Sequence, residues 1–145
     1  MNGLFGDLAL HLRIVGAILL GLGVLHVAFP RKFDWSRELA KLSLLNRRIM
    51  QVHTLFIALT VSMMGALCVF GTAALVERSA LGLLVAAGLL AFWAIRLACQ
   101  FFVYDSELWR GKRFETAVHV GFVGFYGYLV AVFGALSWHQ TSWSS

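Results

Sequence analysis

Three histidines, His26, His53 and His119, are the residues whose type and placement point most directly to chemistry. A neutral imidazole nitrogen binds iron, zinc or copper well, and a carboxylate can complete the coordination sphere. Glu115 and His119 stand four positions apart, the spacing at which one helix offers two ligands from one face. Asp105 is the other acid close enough in sequence to join them. The expectation is a mononuclear transition-metal centre held by His26, His53 and His119 with Glu115 or Asp105. The Glu-x-x-His pairing of di-metal carboxylate bundles and the HExxH zinc motif do not occur.

Two other cofactors would use overlapping residues. Haem b in a helical bundle is held by histidines on facing helices, here His53 and His119, with Arg47, Arg48 or Arg113 toward its propionates. A quinone needs hydrogen bonds and proton paths near a membrane surface, and Tyr104, Asp105, Arg96, His26 and Trp109 fit that need. Gln100 and Tyr104 stand i, i+4 in the same polar layer, with Arg96 one turn deeper on the same face. Arg96 carries the sharpest physical demand. A charge inside hydrocarbon costs about 3 kcal/mol or more, so it should face protein and find a partner. Asp105, Glu115 and Glu38 are the candidate acids. A fourth reading is a non-catalytic scaffold or accessory subunit whose histidines sit at the interface. No nucleophile elbow or phosphate loop occurs, so no reaction is named and enzymatic activity stays open.

The elements that must position these residues follow from composition. Of 145 residues, 60% are hydrophobic and 13% charged, and the mean hydropathy is +0.80. A soluble domain holds nearer half apolar and a quarter charged residues. Four apolar runs, at residues 8–29, 49–71, 80–103 and 114–138, each meet the ~20 residues that a helix needs to cross ~30 Å of hydrocarbon. They lack the alternation of barrel strands, and helix is then the form that satisfies its own backbone in lipid. The fold expected is an all-α integral membrane protein, a four-transmembrane-helix bundle forming one domain.

Charge sets its orientation. The first connection carries Arg31, Lys32, Arg37, Lys41, Arg47 and Arg48, and the third carries Arg110, Lys112 and Arg113. Only Arg13 and Arg78 flank the other side. Both basic connections therefore belong in the cytoplasm and both termini outside. The size resembles that of several small bacterial membrane proteins, which implies a bacterial inner membrane. Charge gathered in loops, without a basic stripe among stacking aromatics, argues against nucleic acid; lipid and lipid-soluble molecules are the expected partners. In this topology His26, His53 and His119 fall at one depth, roughly 5–8 Å below the cytoplasmic boundary at 1.5 Å per residue.

Between the first two runs, Asp34 can cap a short helix on the cytoplasmic interface that aligns Trp35, Leu39 and Leu42. Small residues suggest helix contacts in lipid, or homo- or hetero-oligomer faces: Ala58, Ser62 and Ala66, then Gly121, Gly124 and Gly127. Arg48, Val52, His53 and Phe56 are echoed by Arg113, Val118, His119 and Phe122, a hint of two hairpins in tandem. His11 and His139 lie near the outer face, and Cys68 and Cys99 read as buried hydrophobes.

Overall fold

The computed structural model describes residues 7–32, 35–104 and 111–142, with the backbone alone at 28–32, 36 and 38. Among the described residues all regular structure is helical: α1 (Leu8–Lys32), α2 (Trp35–Leu39), α3 (Leu44–Phe70), α4 (Thr72–Val76), α5 (Ala80–Phe102) and α6 (Arg113–Thr141). Four of these, α1, α3, α5 and α6, are long and apolar enough to cross a membrane. In each apolar window no more than 28% of the residues are buried. Most of this hydrophobic surface therefore lies outside any protein core.

Local chemistry moves several boundaries. The third helix of the chain, α3, starts at Leu44 rather than 49, because the Ser43 hydroxyl accepts from Asn46 N at 3.3 Å and caps it. One turn on, the Arg47 guanidinium donates to the carbonyls of Leu39 and Ala40, both at 3.2 Å, satisfying the end of α2. That short helix matches the one expected between the first two runs, but its expected cap, Asp34, lies outside the described residues. Helix α6 continues past 138 to Thr141, and α4 was not foreseen.

The chain divides into two compact units, Leu12–Thr72 and Ala73–Ser145, the latter joined by the residues up to His11. In the first, α1 and α3 run antiparallel at very close approach. A Cβ on Gly16 would stand 2.7 Å from the Gly65 carbonyl oxygen, and one on Gly65 would stand 2.9 Å from that of Gly16. Gly23 faces Ala58 and Ser62. The expected stripe of Ala58, Ser62 and Ala66 is thus shifted: Ala58 and Gly65 are buried, and Ala66 is only half-buried. Close backbone approach at small residues is the packing mode common among membrane helices.

In the second unit α5 and α6 form an antiparallel hairpin around Ala86, Leu89, Trp93, Tyr126, Leu129, Phe133 and Leu136. Gly121, Gly124 and Gly127, expected to bring backbones together, have nothing within 4 Å of an added Cβ. The hairpin closes instead on larger side chains. At its far end Gln140, 2% exposed, donates to the carbonyls of Leu75 (2.7 Å) and Glu77 (2.9 Å) and accepts from Ser79 N (3.0 Å). Adjacent His139 reaches the Val76 carbonyl at 3.1 Å. Two consecutive side chains thus satisfy the carbonyls left over at the end of α4. Ser79 then caps α5 by accepting from Gly82 N at 2.9 Å.

Candidate functional site

The richest polar cluster of the second unit lies where α5 and α6 meet near the 103–112 connection. Each helix contributes a stripe at i, i+3, i+7: Trp93, Arg96 and Gln100 from α5, and His119, Phe122 and Tyr126 from α6. Antiparallel packing of two such stripes sets Gln100 against His119 and Trp93 against Tyr126.

The Gln100 amide nitrogen donates to His119 Nδ1 at 2.9 Å. A neutral imidazole accepting at Nδ1 carries its proton on Nε2. Gln100 is buried and His119 half-buried. Below this pair the rings stack: Phe122 on Tyr126 at 5.7 Å between centroids, and Tyr126 on Trp93 at 5.8 Å. Offset stacking of this kind fixes ring planes and adds about 1 kcal/mol per pair beyond burial.

Arg96 sits against the same stack. Its guanidinium carbon lies 4.8 Å from the Tyr126 ring centroid and 5.7 Å from that of Tyr104. The expected carboxylate partners are not what holds it among the described residues: Glu115 is exposed on α6, while Asp105 and the Glu38 side chain lie outside them. A cation over a ring face gains about 0.5–2 kcal/mol, more as the site is drier. Arg96 also hydrogen-bonds Tyr126 through its side chain. One turn away, the Trp93 indole nitrogen is buried without an acceptor among the described residues.

The remaining predicted residues sit as follows. His26 is half-buried on α1, and its Nδ1 lies 2.8 Å from the Leu22 carbonyl, to which a ring N–H can donate. His53 is exposed on α3. The α1–α3 register, with Gly23 opposite Ala58 and Ser62, sets His26 and His53 about one helical turn apart in depth, ~6 Å, rather than level. Arg48 is exposed and donates to Gln51 Oε1 at 3.2 Å, and Arg113 is exposed at the start of α6. Among the described residues, neither unit gathers three His, Cys, Asp or Glu side chains able to hold a metal ion. Arg96, Gln100 and Tyr104, expected as cofactor-binding residues, do gather, around a histidine expected as a metal ligand.

Sequence reasoning missed Trp93, Phe122 and Tyr126. Their signal was present as aromatic residues in register with Arg96 and His119, but such stripes also occur in ordinary cores. It also missed the contact of His11 Nδ1 with the Tyr128 hydroxyl at 2.8 Å, which ties the first turns of α1 to α6. The chain matches no protein-family model, no curated protein and no solved structure.

Proposed function

We propose that this chain is a four-span integral membrane protein whose α5–α6 cluster binds a lipid-soluble molecule bearing acceptor oxygens, of the quinone type. It acts as a binding subunit of a redox assembly. The single observation that carries the reading is Arg96: a cation about 9 Å from the end of a spanning helix, facing two tyrosine rings, beside the Gln100–His119 pair. A quinone carbonyl is a neutral acceptor that guanidinium N–H groups and the unpartnered Trp93 indole N–H can serve without burying a second charge. The flat ring complements the stacked Phe122, Tyr126 and Trp93, and an isoprenoid tail extends into the bilayer.

Membrane insertion rests on the four apolar windows and the outward-facing Leu55, Phe56, Leu59, Met63, Leu81, Leu84 and Ile95. The basic connections put α2 and the start of α6 in the cytoplasm and both termini outside, in a bacterial inner membrane. Leu8 lines the same shallow groove as Trp138 and His139, so the start of α1 and the end of α6 share one side.

The test is solvent extraction and mass spectrometry of the purified full chain, with elemental analysis on the same preparation. Quinone retained near stoichiometry, and lost in Arg96→Leu, is the expected result. Stoichiometric iron, zinc or copper without quinone would instead favour the transition-metal reading through His119. A Soret band would favour haem.

A further inference from the structure

One buried polar group of the second unit is left over once the hydrogen bonds of α5 and α6 are assigned. Trp93 is 2% exposed, and its indole Nε1–H meets no acceptor among the described residues. An indole nitrogen is a donor only, so no tautomer can satisfy it by accepting. Phe92 meets the indole edge-on at 78° and Phe125 at 71°, and a ring face is a weak acceptor beside an oxygen. Leaving a buried donor unbonded costs stability that an all-carbon side chain would not lose.

Its surroundings indicate what kind of acceptor fits. Trp93 and Arg96 share one stripe of α5 and stand against one ring. The indole centroid lies 5.8 Å from the centre of Tyr126, and the Arg96 guanidinium carbon 4.8 Å. Their Cα atoms differ in depth by ~4.5 Å at the helical rise. The oxygens of a 1,4-quinone stand about 5 Å apart across its ring. A ring with two para oxygens, standing along the bilayer normal beside Tyr126, therefore serves both donors at once. A single carbonyl, or two adjacent ones, serves only one level.

We propose that Trp93 is the specificity-determining residue of the cluster, its indole N–H taking the deeper oxygen of a 1,4-quinone while Arg96 takes the shallower one. The assignment rests on the quinone reading above and narrows it, from acceptor-bearing lipids in general to rings with two para oxygens. Nε1 is covered by protein atoms, so the deeper oxygen displaces apolar contacts rather than water. The bond then forms in a dry setting, where a hydrogen bond is electrostatically strongest.

The experiment replaces Trp93 in the full chain with β-(3-benzothienyl)alanine, which keeps the indole shape and puts sulfur where the N–H stood. Equilibrium dialysis in detergent then measures binding of 1,4-naphthoquinone and of 1-tetralone, which lacks the second oxygen. The isostere should bind the naphthoquinone about fivefold more weakly, the loss of one neutral hydrogen bond, and the tetralone as the parent does. Arg96→Leu, which removes the donor that both molecules use, should weaken both. Without added quinone the isostere should melt no lower than the parent, because the N–H it lacks bonds no described residue. A lower melting temperature, or equal losses for the two molecules, would make the indole a packing residue and overturn its role. Unchanged naphthoquinone binding in the isostere would also overturn it and leave the quinone reading standing. A parent chain that binds neither molecule would overturn the reading and this inference together.

Discussion

The Arg96 guanidinium lies over the Tyr126 ring across the α5–α6 hairpin, its carbon 4.8 Å from the ring centre. The contact explains how a charge tolerates its position without a carboxylate among the described residues. Tyr126 is itself buried and stacks with Trp93 and Phe122, which restrains its ring plane. The ring face and a side-chain hydrogen bond to Tyr126 together compensate the charge in part.

Gly16 and Gly21, five positions apart on α1, should respond in opposite directions to the same change. Gly16→Ala puts a methyl against the Gly65 carbonyl and the Val69 amide, which are backbone and cannot rotate aside. The α1–α3 pair must separate, at a cost of about 1–3 kcal/mol. Gly21→Ala meets nothing within 4 Å and should stabilise α1 by roughly 0.5–1 kcal/mol through helix propensity. Thermal denaturation in one detergent compares them; equal shifts would contradict the close approach.

Gln140→Ala should be among the most damaging single changes in the second unit. It strands the Leu75 and Glu77 carbonyls and the Ser79 amide together, and a buried polar group left unsatisfied costs about 1–3 kcal/mol. Trp138→Ala, two positions away but 76% exposed, should change stability far less. A melting temperature for Gln140→Ala within a degree or so of the parent, where a loss of this size predicts several degrees, would show that the knot is not formed.

The helices were legible because length and hydropathy suffice to define an apolar span, and α5 matches its expected range within one residue. The helix pairings were not. Gly16 and Gly65 give no hydropathy signal, and only the packed backbone reveals that they touch. The glycine-rich start of α6 gave the stronger signal and turned out to face open space. For the candidate site, the i, i+4 reading put Arg96, Gln100 and Tyr104 on one helix face; α5 holds Arg96 and Gln100 but ends at Phe102, so Tyr104 follows the helix rather than lying on it. The partner of Arg96 was sought among acids because charge pairing is the first remedy for a buried cation; the ring faces that hold it carry no charge to read.

Reporter fusions at Gly111 and at the C-terminus test the orientation. The account expects a cytoplasmic signal at Gly111 and an external one at the C-terminus, from the nine basic residues of the first and third connections. A cytoplasmic C-terminus would move the Arg96 cluster to the other leaflet.

The most direct measurement of the central claim is a fluorescence titration of the purified chain with a short-chain ubiquinone analogue. Trp93 stacks on Tyr126 within the cluster, so bound quinone should quench it, and the saturable part of the quenching should vanish in Trp93→Phe although four other tryptophans remain. Arg96→Leu removes a costly charge from the span and should leave thermal stability equal or higher, while weakening the analogue at least tenfold, the loss expected for a charged hydrogen-bonding group. Saturable quenching in the parent chain, with Arg96→Leu stable but unable to bind, is the predicted result. Quenching that rises linearly without saturation, or a saturable phase unchanged by Arg96→Leu, would contradict the account.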